Sequence, residues 1–308
     1  MRLCPRSRTP SCFKGGVVLI WLIGDKGMLG TEQSLLFKSR DLEYIGSDRE
    51  CDITDIEALR AHSSGRKIEW IVNCSAYTAV DKAEDDEETA RRINALGAGN
   101  VATLAEELGA KLMHISTDYV FSGSGNRPIR EDEKIAPTSA YGRTKAEGEA
   151  LVRAACSRHF IVRTAWLYGQ YGGNFVATML RLMAERGDVG VVADQRGSPT
   201  WAQHLAQAIA HIIESKAQAY GTYHFADAGD ISWYEFAMEI LKQGRERGIL
   251  AKDATVRALT TDQYPSKAKR PMYSVLSREK IQNVLGVAVH DWKEGLRQYM
   301  DQIARKGN

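Results

Sequence analysis

The chain has 308 residues, a length that suits two domains or one large one. At 44% hydrophobic and 26% charged, its composition excludes a disordered or collagen-like chain. Forty-one basic residues against 39 acidic ones leave a net charge of +2, too weak a field to hold nucleic acid or an anionic membrane.

Residues 1 to 16 are basic and broken by Pro5, Pro10, Gly15 and Gly16, and they read as a loose tail. From Val17 short apolar runs alternate with helical stretches. Val17–Ile23 reads as a strand buried on both faces, and is far short of the ~20 residues of a membrane span. A helix over Thr31–Phe37, a strand over Leu42–Gly46 and a helix over Ile53–Ala61 follow. Glu69–Ala76 predicts a strand, and Ala83–Leu108 one long helix carrying Ile93, Leu96, Val101 and Leu104. The acidic run Glu84–Glu88 reads as its solvated first turn. Lys111–Ser116 is the next strand, Tyr141–Ser157 a helix, and Phe160–Thr164 a strand.

This alternation predicts an α/β fold, a Rossmann-type doubly wound parallel sheet with right-handed crossovers. After Trp166 the strict alternation fades. Helices near Phe175–Glu185, Gln203–Ser215, Trp233–Gly244 and Trp292–Arg305 suggest a smaller mixed α/β substrate-binding domain. The expected division is 17–165 for cofactor and mainly 166–308 for substrate, with some late segments returning to the first unit. Cys4, Cys12, Cys51, Cys74 and Cys156 show no Cys-x-x-Cys spacing, which speaks for a reducing, cytoplasmic setting. The seven histidines show no metal spacing and read as structural or surface residues.

Gly24-Asp25-Lys26-Gly27-Met28-Leu29-Gly30 follows the first strand and opens a helix. Missing side chains let backbone N–H groups approach a diphosphate at the positive end of that helix. The spacing departs from G-x-G-x-x-G, so it points to a variant Rossmann unit for NADPH or NADH. Asp48, 18 residues past Gly30, is the candidate for the adenosine ribose, and Arg49 stands beside it. An acid favours NAD and an arginine tolerates the 2′-phosphate of NADP, so the choice stays open. Asp52 and Ile53 are candidates to flank the adenine ring.

Tyr141 and Lys145 lie four apart, on one face of a predicted helix capped by Pro137-Thr138-Ser139. A phenol exchanges protons poorly near neutral pH until a cation stabilises its phenolate, and the lysine supplies one. The preceding strand ends at Ser116-Thr117-Asp118. Strand C-termini line the ligand crevice of such sheets, so Thr117 and Tyr141 are expected to converge there, Thr117 orienting a carbonyl oxygen.

Val72-Asn73-Cys74-Ser75-Ala76-Tyr77-Thr78-Ala79-Val80-Asp81-Lys82-Ala83-Glu84 and His114-Ile115-Ser116-Thr117-Asp118-Tyr119-Val120-Phe121 resemble signatures of the extended short-chain dehydrogenase/reductase family acting on nucleotide sugars. With Tyr141-Gly142-x-Thr144-Lys145, Arg163–Tyr168, Asn174-Phe175, Asp194–Thr200, Trp233-Tyr234 and Arg270-Pro271, they resemble the dTDP-4-dehydrorhamnose reductases from Val17 to Tyr299. The resemblance implies reduction of a C4 ketone of a dTDP-4-dehydro-6-deoxyhexose. Tyr141 would protonate the alkoxide, Lys145 would lower its pKa, and Thr117 would polarise the carbonyl. It also implies that Gly27, Met28 and Leu29 hold the cofactor diphosphate, and that Ala76, Tyr77, Thr78 and Ile115 approach its nicotinamide half. Asp118, Trp166, Asn174, Phe175 and Arg270 would meet the substrate.

Some members pair through Mg²⁺ held by carboxylates. Glu32 matches one such position, but Gln203 stands where another carboxylate is expected, so a metal-bridged homodimer would lack a charged ligand. The scaffold also serves epimerases, dehydratases and a non-catalytic NAD(P)-binding regulatory subunit. Tyr119 after Thr117-Asp118 removes the second carboxylate a dehydratase uses.

Overall fold

The computed structural model describes residues 18–250 and 253–306, so the tail read at residues 1–16 lies outside the described residues. The elements of the first half are β1 (Leu19–Ile23), α1 (Met28–Ser39), β2 (Tyr44–Ser47), α2 (Ile56–Ser63), β3 (Ile68–Asn73), α3 (Val80–Ala83), α4 (Glu87–Arg91), α5 (Ala98–Leu108), β4 (Lys111–Thr117), α6 (Ala140–Ala155) and β5 (His159–Thr164). The second half contributes β6 (Leu167–Tyr168), α7 (Phe175–Arg186), β7 (Asp188–Val192), β8 (Arg196–Gly197), β9 (Thr200–Trp201), α8 (Ala202–Glu214), β10 (Gly221–His224), β11 (Ile231–Ser232), α9 (Trp233–Glu246), β12 (Thr255–Leu259), α10 (Glu279–Leu285) and α11 (Trp292–Lys306).

Six parallel strands form the main sheet in the order β2-β1-β3-β4-β5-β10. Alternation along the strands feeds a core on each face. Ile20 and Leu22 of β1 join Phe37 of α1 and Leu205 and Ile209 of α8 on one side. Trp21 and Ile23 join Leu59 of α2, Val101 and Leu104 of α5 and Val152 of α6 on the other. The order reverses at β1 and β3, and the crevice beyond their C-terminal ends is where such sheets bind ligands. Residues beyond Trp166 complete this unit, with β10 pairing β5 and α8 packing on α1. The smaller unit wraps α7, α9 and α11 around the β7–β12 pair, over a core including Val176, Met179, Phe236, Ile240 and Leu296.

One segment differs from the sequence reading. The helix expected over 83–108 is broken: Asp86 accepts from Thr89 N and caps a new start at α4, and Arg92–Gly97 is a π-helical turn before α5. The acidic run is solvated, with Glu84, Asp85, Asp86 and Glu88 exposed and Asp86–Glu88 opening α4, and it also makes specific bonds. Glu84 accepts from Ala140 N at 2.8 Å, Glu87 takes the Arg143 guanidinium, and Asp85 takes Lys267. These carboxylates fasten the α3–α4 corner to the start of α6 and to the segment that carries Lys267.

Candidate active site

The cofactor side is built first by the turn between β1 and α1. Gly24 has φ +81°, and a Cβ there would lie 2.8 Å from Ser75 N; at Gly30 a Cβ would lie 2.0 Å from Gly24 O. Only hydrogens fit. Gly24 N and Asp25 N both donate to Ser47 O, which stitches the turn to the end of β2. Gly27 caps α1 with no side-chain bond, leaving the first N–H groups of a 12-residue helix available to an anion. A cleft of about 690 Å³ opens over this turn. Gly24, Gly27, Asp48, Asp52, Ile53, Ala76, Tyr77 and Thr78 line it, as sequence placed them, with Lys26, Arg49 and Cys74 in addition. Met28, Leu29, Gly30 and Ile115 sit outside the lining: Leu29 and Gly30 are buried in the helix start, while the Ile115 carbonyl accepts from Lys145. A glycine cradle at a free helix N-terminus above an acidic strand end fits a dinucleotide.

The residues of the central group come from β4 and α6. Ser139 caps α6 by accepting from Gly142 N at 3.1 Å, which starts the helix so that Tyr141 faces inward. The Tyr141 phenol faces the Thr117 side chain. The Thr117 hydroxyl donates to Asp118 Oδ1 at 2.9 Å. Thr117 and Tyr141, expected to converge, therefore meet, with Asp118 beside them. Tyr141 also packs with Tyr77 of the cofactor cleft and edge-on against Tyr119, ring centroids 5.5 Å apart. Burial pushes the phenol up, and the Thr117 side chain opposes this.

One relationship differs from expectation. Lys145 is directed at β4, donating from Nζ to Ile115 O at 2.7 Å, rather than at the phenol. Burial lowers the lysine to about 8, with Glu149 and Cys74 pulling the other way. Burial likewise raises Asp118 to about 6, against hydrogen bonds from Thr117 and Ser274. Asp118 Oδ2 is buried and has no hydrogen-bond partner among the described residues.

A second cleft, of about 510 Å³, opens in the smaller unit, lined by Phe175, Gln195, Trp233, Tyr264, Arg257 and Arg270 among others. Trp166 adopts φ +48°, uncommon for a bulky residue, and its ring stacks on Trp233 at 3.5 Å; Phe175 lies 4.5 Å from Trp233. Arg270 is paired with Asp81 of α3 at 3.1 Å, so the two units meet at this rim. Asn174 is spent differently: its Oδ1 caps α7 by accepting from Ala177 N, and its Nδ2 donates to Gly169 O. Gln203 accepts from Gln302 at 3.0 Å, and no cluster of three His, Cys, Asp or Glu able to hold a metal occurs among the described residues. Glu32 is buried on α1, and Gln203 offers an amide where a second carboxylate was expected, a donor set that does not suit Mg²⁺.

Sequence reading missed Asn94. Its Oδ1 accepts from Tyr77 N at 2.8 Å, while Nδ2 donates to Tyr77 O and to Thr144 Oγ1, each at 3.1 Å. The π turn carries this side chain to the Tyr77 loop and to α6 at once. A glycine three residues on, Gly97, within an otherwise apolar helix was the available signal.

The fold and this grouping define a Rossmann-type short-chain reductase. A model of the family described as the RmlD substrate binding domain matches residues 18–305. The dTDP-4-dehydrorhamnose reductase of Escherichia coli (strain K12) is 36% identical, covering 92% of this chain and 97% of that protein. The spore coat polysaccharide biosynthesis protein SpsK of Bacillus subtilis is 38% identical, at 92% and 97%. A dTDP-4-dehydrorhamnose reductase structure from Clostridium acetobutylicum has TM-score 0.87 and 41% identity over 93% of this chain and 99% of that one. One from Bacillus anthracis, in complex with NADP, has TM-score 0.87 and 36% identity over 92% and 99%. The chain belongs to this family, that of the dTDP-4-dehydrorhamnose reductases.

Proposed function

We propose that the protein reduces the C4 ketone of dTDP-4-dehydro-6-deoxy-L-mannose to dTDP-L-rhamnose, with NADPH or NADH as the hydride donor. The observation that carries this reading is the grouping of Tyr141 with the hydrogen-bonded Thr117–Asp118 pair, beside a cleft suited to a dinucleotide. Gly24, Gly27, Met28, Leu29 and Gly30 would hold the cofactor diphosphate and Asp48 its adenosine ribose, with Asp52 and Ile53 flanking adenine. Ala76, Tyr77, Thr78, Ile115 and Lys145 would face its nicotinamide half. Bound there, the reduced nicotinamide supplies a hydride.

The chain's own residues do the rest. Thr117 orients the ketone oxygen, and Tyr141 delivers its phenolic proton to the alkoxide that forms at C4. Asp118 accepts a sugar hydroxyl. Trp166 and Phe175 wall the hexose, and Arg270 exchanges Asp81 for the substrate diphosphate as a planar fork. Asn174 supports this wall from the cap of α7.

The reading places the reaction in the cytoplasm, in cell-surface polysaccharide synthesis. The free cysteines 51, 74 and 156 support it, as does the absence, among the described residues, of a helix long and apolar enough to span a membrane. It requires no metal, and a homodimer would have to form without one. The test is to supply the ketosugar nucleotide with each reduced coenzyme and follow loss of reduced nicotinamide. Stoichiometric oxidation with formation of the 6-deoxyhexose is the expected result. Redox-neutral conversion would overturn it in favour of an epimerase or dehydratase, and no turnover in favour of a binding subunit.

A further inference from the structure

The rim of the cofactor cleft carries an ion arrangement that the reaction itself does not explain. β2 ends at Ser47, and the chain turns through Asp48, Arg49 and Glu50. Glu50 does not line the cleft but reaches back behind it. Its Oε2 accepts from Lys26 Nζ at 2.9 Å, and its Oε1 accepts from the Asp48 N–H at 2.9 Å. One carboxylate thus holds an ammonium from the glycine turn and a backbone donor from the strand end.

Those are the donors that a phosphate monoester on the adenosine ribose would require: a cation and a backbone N–H at the end of the second strand. We propose that Glu50 is an internal anion standing in for the ribose 2′-phosphate, and that it gives this chain a preference for NADH over NADPH. The inference rests on the reductase reading above and narrows its coenzyme.

Three physical points support it. The 2′-phosphate carries nearly two negative charges at neutral pH, so to be seated it must displace Glu50 from both donors and then lie beside that freed carboxylate. Protonation does not relieve the conflict, because the bonds from Lys26 and the backbone hold the Glu50 carboxyl down at about 2. The remaining charges of the lining only balance: Asp48 and Asp52 are acidic, Arg49 is among the cations set against them, and Lys26 is held by Glu50. An unphosphorylated ribose meets none of this, and its 2′-hydroxyl can donate to Asp48 with the Lys26–Glu50 bridge in place.

The experiment is a direct titration of the full chain with NADH and with NADPH, read by reduced-nicotinamide fluorescence and without sugar substrate. Wild type is expected to bind NADH more tightly. Glu50→Gln is exposed and leaves the fold intact; it is expected to tighten NADPH roughly fivefold, the scale of one exposed charge pair, and to leave NADH unchanged. Adding Lys26→Gln to that variant should cancel the gain, because the freed ammonium is what the phosphate would use. Wild type binding NADPH as tightly as NADH would overturn the inference, as would a Glu50→Gln change that moves both coenzymes alike or neither. Failure of both coenzymes to bind wild type would overturn the reductase reading itself and the inference with it.

Discussion

Glu149 and Arg163 form a two-pronged ion pair inside the protein, with Nε donating to Oε1 at 2.8 Å and Nη2 to Oε2 at 2.7 Å. Ser116 donates a further bond to Glu149, and Arg163 Nη1 lies 3.2 Å from His224 Nε2. Burial works against the charged carboxyl, yet the guanidinium and these bonds hold it below the usual range. The pair therefore ties α6, which carries Tyr141 and Lys145, to β4, β5 and the late strand β10.

Removing Glu149 leaves the buried Arg163 guanidinium without its carboxylate, and removing Arg163 leaves the buried Glu149 with only the more exposed Arg153 as a cation. Glu149→Gln is expected to cost about 3–5 kcal/mol of stability, and Arg163→Met a similar amount. Replacing both by apolar residues of similar volume should cost much less than the sum of the two. Urea denaturation of the singles and the double decides it. Additive losses would mean that the pair is not acting as a unit.

Tyr141→Phe keeps the ring on Tyr77 and Tyr119 and deletes the hydroxyl that faces Thr117. Turnover is expected to fall by roughly 10²–10⁴-fold while coenzyme affinity stays as in wild type, since only the proton donor is lost. Steady-state kinetics paired with a coenzyme titration separates the two. A variant with nearly full kcat would remove Tyr141 from the proton-donor role.

How far the sequence reached follows from which contacts are local. The alternation of Ile20 and Leu22 against Trp21 and Ile23 is a two-residue pattern, so the buried strand and its two cores were legible. The glycine turn was legible because its steric demand lies within seven residues. Asn94 was not, because its partners Tyr77 and Thr144 are 17 and 50 positions away. The solvated acidic run was legible but its distant partner was not, since Asp85 meets Lys267 across 182 positions, and apolar spacing carried the predicted helix straight through the break at Asp86. The direction of Lys145 was hidden too. Helical spacing places its Cα near the phenol but does not say that Ile115 O takes the ammonium.

Asp118 couples the site to stability through pH. Its folded pKa of about 6 lies above the ordinary 3.8, so between these values the folded chain holds a proton that the unfolded chain has released. Its contribution therefore becomes unfavourable as pH rises through this window, reaching about 3 kcal/mol above it. Asp118→Asn keeps an acceptor for Thr117 without the charge. The variant is expected to lose activity yet to melt at higher temperature than wild type at pH 7, with the advantage vanishing near pH 4. Parallel melting profiles from pH 4 to pH 7 would show that the carboxylate carries no such burden.

Lys145 should leave its mark at the other end of the pH range. Burial lowers it to about 8, so the cationic fraction falls as pH rises through that value. The groups facing it are Glu149, which favours the cation, Cys74, and His114, whose buried ring is kept neutral far below its ordinary pKa. If the ammonium assists the phenol, kcat/KM declines on an alkaline limb centred near pH 8, well below an ordinary lysine. The stability sign is opposite to that of activity. Between about 8 and 10.5 the unfolded chain binds the proton that the folded chain has lost, so this group's contribution to stability rises with pH there. Lys145→Met removes both effects: activity is low and without that limb, and the gain in melting temperature at pH 7 shrinks as pH approaches 10. A full alkaline limb surviving in the variant would assign the titration to another group, with Tyr141 excluded because burial holds its phenol far above this range.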